Sequence, residues 1–552
     1  MRHGNLSDIH GSNLSSAASA SGSEGTHVQC PVKHYSNLFA AGTTAKRGSA
    51  ALDRNAIAEI ADARSSGVDD PPKDDRDNIP AGYTYFGQLV VHDLTQSIAG
   101  SGQGGASVTL QNLMTPNLDL DTIYGGGPTQ CPHLYQAPYE AGYLNRPQDI
   151  EDDGQYLFHL GRTAKAALPE NWEQGEGLPY DLPRAGAAGG WSAGTSITPL
   201  VRDARNDDNL ILAQLTAQFM LVHNRVARYL HHNGDPADAN RPLSKKESFE
   251  LARHFVLIAY RRIVVHDYLQ LLLLPAVYGD LKAGKIASQD HLPIEFVFGA
   301  ARVGHAMVRA AYTINNHIGL GASGLGRLMS FSSSSPGANL PLPADWVVDW
   351  RQLLEMDDGE MEDRVTPQSA RRISPFLAPT FVHSDLKNRR TDFEGSLSFH
   401  DLWRCYQFEI PTGQECARQL FGSASKKILT QEDMLPRPAF SNLHPAEKLT
   451  AALQAHPEFL TETPLSYYLL QEAAVLGGNG RYLGPLGSHI FAAAILYALK
   501  KAPQTYATPA GQRGLDFDRI LKPTGIVKLP HLLKVPAMPD ADLAEVIVKT
   551  LA

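Results

Sequence analysis

A mainly α architecture in one large domain is what this sequence predicts, and three observations carry it. Apolar residues recur at three- and four-residue spacing through segment after segment. Strand-like alternation is scarce. From Pro80 onward, no stretch has the character of a second linker. The 552 residues would accommodate about three or four average domains, but length is only a prior.

Taken in order, residues 1–28 are rich in Ser, Gly and Ala and read as a disordered tail. Residues 29–80 read as an extended arm, because Ala61 to Pro80 is polar and Pro-rich. Residues 81–552 read as the folded domain. A helix from Ala81 to Leu94 opens just after Pro80. A second, Asn209 to Leu230, places Leu212, Leu215, Phe219, Val222, Val226 and Leu230 on one face. Lys246 to Leu273 is long, and Arg253, Arg261, Arg262 and Asp267 mark it as a core helix rather than a membrane span. Further helices fit Phe296 to Tyr312, Leu397 to Tyr406 and His489 to Lys501.

Composition excludes several classes of function. Charged residues make up 19% and hydrophobic residues 43%, and the formal charge is −9, which offers no basic nucleic-acid surface. Cys30, Cys131, Cys405 and Cys416 are far apart and form no CxxC or CxxCH pattern, so a zinc finger, a conventional iron–sulfur site and a c-type haem attachment are excluded. One disulfide and four reduced thiols both remain open. The first residues lack the apolar core of a secretory signal, and Leu269 to Gly279, the most apolar run, is too short to span a bilayer. The expectation is a soluble protein, cytoplasmic or released without a signal peptide, with no integral membrane segment.

Four clusters carry chemistry. In YFGQLVVHDLTQS, Gln88 and His92 are four apart and share a helix face, and Asp93 is turned about 100° away. A buried His satisfied by a carbonyl is the plain alternative. In TPNLDLDTIYG, Thr115, Asn117, Asp119 and Asp121 alternate, so an extended loop presents their oxygens on one side, a hard set suited to Ca²⁺. A solvated acidic loop would read the same way. RDARNDDN, Arg202 to Asn209, precedes the second helix, whose N-terminus favours its acids. Arg302 and His305, three apart in FVFGAARVGHAMVRAAY, share a face of an apolar helix.

Together these segments resemble the animal-type haem peroxidases of the peroxidase–cyclooxygenase superfamily, bacterial members above all, over roughly Asn78 to Lys501 and in family order. Gly87, Gln88, His92 and Asp93 match the distal Gly-Gln-x-x-x-His-Asp pattern. The resemblance implies a single helical domain over 81–552, with haem b between distal and proximal helices. It implies His92 as the proton shuttle, with Gln88 beside it and Arg205 as a fixed cation over the haem. It implies His305 as the proximal iron ligand, Arg302 and Arg404 as propionate partners, and Asp208 as an acid at the haem edge. Asp93, Thr115, Asn117 (through its main-chain oxygen), Asp119 and Asp121 match the family's calcium loop. In DLWRCYQFEIPTGQ, the residue three before Arg404 is Asp401, where the family has an Asn that bonds the proximal imidazole.

The departures shape the expected activity. Val91 stands where an ester-forming acid would be, so haem is expected to be held by at most one ester, through Asp208. Asn209 replaces the Met of the sulfonium link. Arg302 occupies the place of the radical tyrosine of cyclooxygenases and fatty-acid dioxygenases. The reading implied is an oxidoreductase that uses hydrogen peroxide, through a ferryl state, on small organic donors or halides, as in responses to oxidative stress. The alternatives are an oxygenase or peroxygenase acting on a lipid, and a non-enzymatic, calcium-dependent haem-binding protein. Nucleic acid is not an expected partner, and no oligomeric state is implied.

Overall fold

The computed structural model describes residues 35–40, 54–65, 75, 77–100, 109–135, 156–164, 177–185, 198–238, 240–332, 340–356, 365–382, 396–437, 443–502, 505–508, 511–514 and 517–552. The expected tail at 1–28 and Cys30 lie outside them. Among the described residues the chain is mainly helical, and strands occur as three two-stranded antiparallel ribbons.

The principal helices are α1 (Arg54–Ala63), α2 (Gly82–Leu94), α3 (Leu210–Asn233), α4 (Lys245–Ile263), α5 (Leu397–Gln407), α6 (Leu465–Leu476), α7 (Pro485–Lys501) and α8 (Asp540–Leu551). Every residue of α2 is buried, which fits a helix apolar almost all round. It packs against α3 and against the short helix Gly304–Met307. Thr95, in an extended conformation, ends it, and the Asn112 amide receives the orphan carbonyl of Leu94 at 2.8 Å. α3 and α4 form an antiparallel pair. Asn209 caps α3 by accepting from the amide of Leu212 at 3.0 Å, and Ser244 with Glu247 forms a capping box on α4.

Three expectations change. The arm at 29–80 is not extended throughout: it contains α1, whose Ile57, Ile60 and Ala61 are buried where the helix meets α5. The single helix expected over Phe296–Tyr312 is three pieces, Ile294–Phe298, the 3₁₀ turn Ala300–Val303 and Gly304–Met307. At Gly299 a Cβ would lie 2.5 Å from the Glu295 carbonyl and 2.8 Å from Leu465, so the break allows close approach to α6. Beyond Met307 the backbone turns extended, and the Met307 carbonyl accepts from the amide of Arg371 at 3.0 Å. The helix expected over Lys246–Leu273 continues from α4 through a π turn, Val264–Tyr268, into Leu269–Leu272. The other expected helices agree to within four residues, α7 starting earlier at Pro485. Cys131, Cys405 and Cys416 are free thiols. Among the described residues, no helix is long and apolar enough to cross a membrane.

Candidate functional site

A small cavity of about 20 Å³ lies between α2 and the Ala300–Met307 segment. From α2 come Thr84, Gly87, Gln88 and Val91, and from the other segment come Gly304 and His305. Tyr268, Leu272, Leu483 and Phe491 complete much of the wall. Gly87 is required here, because a Cβ would sit 2.2 Å from the Tyr268 hydroxyl.

His92 is fully buried at the end of α2, and its Nδ1 lies 3.0 Å from Asn206 Oδ1. The orientation of that amide is fixed, because Asn206 Nδ2 donates to the Thr122 carbonyl at 3.2 Å and to its hydroxyl at 3.0 Å. Asn206 Oδ1 can only accept, so His92 Nδ1 carries the proton and Nε2 the lone pair. Burial, followed by the charge of Arg205, pushes the imidazole down to about 4, so it is neutral near pH 7.

Neither Arg205 nor His92 is among the cavity-lining residues, and Arg205 is engaged within the protein. Its Nε and Nη2 grip Asp203, Nη1 donates to the Thr95 carbonyl at 2.6 Å and Nη2 to the His92 carbonyl at 2.9 Å. The guanidinium is thus spent on closing the C-terminal end of α2, where negative carbonyl dipoles gather. The acids of this run do not cap α3 either. Asp203 caps the 3₁₀ turn Ala204–Asp207, and Asp207 pairs with buried Arg184 at 2.7 Å. Asp208 is buried after that turn, near enough for its charge to act on His92, and is not among the cavity-lining residues.

On the other side, His305 Nδ1 stands 2.6 Å from Asp401 Oδ2 of α5. Burial raises the Asp401 carboxyl, but His305, Arg302 and Arg64 together pull it below its ordinary value, so it is a carboxylate. Burial holds His305 below its ordinary value against the opposing pull of Asp401. The neutral ring donates from Nδ1, which leaves the lone pair on Nε2. Arg302 bonds the Val297 carbonyl at 3.0 Å through Nε, and its buried Nη1 has no hydrogen-bond partner. Arg404 is buried as well, and burial together with the charge of Arg302 pushes its guanidinium down to about 9.

These features fit a haem. His305 supplies an oriented imidazole, and Gly304 leaves open space where a Cβ would stand. Buried Arg302 and Arg404, both close enough to Asp401 to feel its charge, are cations that a carboxylate of a bound group could meet. Val91 on the wall is apolar and offers no ester.

A separate acidic cluster lies behind α2. Carboxylate oxygens of Asp93, Asp119 and Asp121 fall within 4.8 Å of one another. Thr115 Oγ1 lies 2.8 Å from Asp119 Oδ1 and 2.8 Å from Asp121 Oδ2. Asp93 accepts from the Tyr260 hydroxyl at 3.2 Å, whereas Asp93 Oδ1 and Asp121 Oδ1 are buried without a partner. Burial and mutual repulsion raise Asp93, and they raise Asp121 to about 7. Crowded acids of this kind fit a hard cation. Asn117 is the exception: its main-chain oxygen accepts from Arg261 at 3.3 Å, and a second cation there would meet like charge.

The structure therefore gathers Gln88 and His305 at the cavity, with Arg302 and Arg404 near Asp401, and Asp93, Thr115, Asp119 and Asp121 in the cluster. His92, Arg205 and Asp208 are buried but not among the residues lining the cavity, and the Asn117 main-chain oxygen is engaged by Arg261. Asn206, Thr122 and Tyr268 were not singled out from sequence, although Asn206 sits inside the quoted RDARNDDN run.

Among curated proteins, none matches the sequence significantly. The fold is similar to that of the fatty acid alpha-dioxygenase of Oryza sativa, with TM-score 0.50 and 13% identity over 88% of this chain and 79% of that one. The fatty acid alpha-dioxygenase of Arabidopsis thaliana gives TM-score 0.49 and 12% identity over 89% and 77%. The model of the animal haem peroxidase family matches residues 78–324, which include α2, the acidic cluster and the helix bearing His305.

Proposed function

We propose that the protein is a haem-dependent peroxidase that consumes hydrogen peroxide and oxidises small organic donors or halides. The observation that carries this reading is the 2.6 Å bond from His305 Nδ1 to Asp401, which aims a neutral, electron-rich nitrogen at the cavity. His305 would hold haem b, and Arg302 and Arg404 would face its propionates. When bound, the haem supplies an iron centre that cycles between oxidation states. His92, neutral and with its lone pair on Nε2, would take a proton from peroxide and return it to the departing oxygen. Gln88 offers a further donor at the cavity through Nε2, which has no hydrogen-bond partner. Asp93, Thr115, Asp119 and Asp121 would hold Ca²⁺ and tie their loop to α2.

Arg302, in place of a tyrosine, supports peroxidase over dioxygenase chemistry. A second reading, oxygenation of an apolar substrate, draws on the apolar wall formed by Leu272, Leu483 and Phe491 and on the phenol of Tyr268 beside it. The test uses the haem-loaded full chain. A Soret band that His305→Ala abolishes, together with peroxide-dependent oxidation of a phenol or iodide, is the expected result. Label from ¹⁸O₂ entering a fatty acid without added peroxide would favour the second reading, and a chain that takes up no haem would overturn both.

A further inference from the structure

We infer that Asn206 is a positioning residue that keeps His92 in the one tautomer able to accept a proton, an inference that rests on the peroxidase reading above. Asn206 is fully buried and lies off the cavity wall, so it acts only through the imidazole. Its carbonyl oxygen receives His92 Nδ1–H at 3.0 Å, and its amino group is held twice by Thr122, at 3.2 and 3.0 Å. The Thr122 hydroxyl passes its own proton to Asp203 at 3.1 Å, and Asp203 is fixed by Arg205 at 2.6 Å. Each donor in this chain has one acceptor.

Turning the amide over would set its oxygen against the Thr122 carbonyl and its NH₂ against the imidazole nitrogen. The first contact, oxygen against oxygen, is unfavourable in a buried site and holds the amide in its observed orientation. The reversed imidazole tautomer, with the proton on Nε2, is therefore disfavoured, and that tautomer has no lone pair to offer peroxide. The anchorage is also local in the chain. Thr122 follows Asp121 and His92 precedes Asp93, so the two segments joined by the acidic cluster are joined a second time through Asn206.

Hydrogen cyanide tests the idea. To bind ferric haem as cyanide it must give up a proton to a nearby base, whereas carbon monoxide binds ferrous haem with no proton to lose. In the haem-loaded full chain, Asn206→Leu should slow cyanide binding and reaction with peroxide by at least ~10²-fold, the lower range for general-base assistance. Carbon monoxide association should be unchanged. Cyanide binding at the parental rate in Asn206→Leu, or equal slowing of cyanide and carbon monoxide, overturns the assignment. Should Asn206→Leu fail to fold, Thr122→Val loosens the amide while leaving it in place. That variant should slow cyanide but not carbon monoxide, and a parental cyanide rate in it overturns the assignment too. A parent chain with no Soret band speaks against the peroxidase reading instead.

Discussion

Asp401 shows how much one atom can decide. An Asn in its place would accept from His305 Nδ1–H with a neutral oxygen, whereas the carboxylate at 2.6 Å draws the proton toward itself. The imidazole becomes a stronger donor, and a bound iron is held more firmly in its ferric state. Asp401→Asn should therefore raise the Fe(III)/Fe(II) potential, read by potentiometric titration against the parent. A potential that stays or falls would show that Asp401 does not tune the metal. With Asn209 in place of a sulfonium-forming Met, the same electron-rich centre should oxidise iodide or phenols and turn over chloride poorly. A single residue was legible in sequence where its motif marked it, as with Gln88, which lines the cavity. Asn206 was not, because an Asn among acids before a helix has the look of a cap. Nor were the bonds of Arg205 to the end of α2, because no pattern in the chain says that those carbonyls will claim a guanidinium.

At the level of elements, α2 meets the π turn Val264–Tyr268 where Gly87 has no side chain. Gly87→Ala would drive a methyl to 2.2 Å from the Tyr268 hydroxyl and should cost about 1–3 kcal/mol, as overpacked cores do. The nearest ring carbon is 2.9 Å away, so Tyr268→Phe in the same chain should recover part of that loss. Denaturant midpoints of the two single variants and the double variant measure it, and strict additivity would rule out the contact. The π turn itself was hidden in sequence, because one added residue shifts a helix face without disturbing the apolar pattern on either side. The breaks around Gly299 were hidden similarly, since apolar spacing runs unbroken from Phe296 past His305. The loop bearing Asp119 and Asp121 sets its acids against Asp93 of α2, so removing a bound cation should loosen it. Chelator should lower the thermal midpoint, calcium should restore it by about 2.7 kcal/mol at a hundredfold excess over Kd, and Asp121→Asn should abolish the response. A midpoint indifferent to chelator would mean that the cluster holds no ion.

Across the whole molecule, burial of neutral imidazoles sets the behaviour toward acid. Burial pushes His159 down to about 4 and His223 to about 3, whereas an unfolded chain titrates near 6.5. Between those values the unfolded chain binds more protons, so stability is full above about pH 6.5 and falls as the pH drops toward 4. The loss is on the order of 3 kcal/mol per ring when fully expressed. Denaturant midpoints that hold steady from pH 7 to pH 4 would contradict it. One large helical domain was legible from periodicity and the lack of linkers, whereas the contribution of the N-terminal segment was not. Tyr35 bonds Ser97 at 2.7 Å close enough to feel Arg205 and Arg302, the amides of Leu38 and Phe39 rest on buried Glu295, and Ala40 exchanges two bonds with Gln419. If the neighbouring cavity takes up haem, a strap fastened at both ends would impose an order of assembly, the cofactor entering before the strap is laid down and leaving only once it lifts. A chain lacking its first 40 residues should load haem faster and surrender it faster to an acceptor globin, and an unchanged rate of release would show that the gate lies elsewhere.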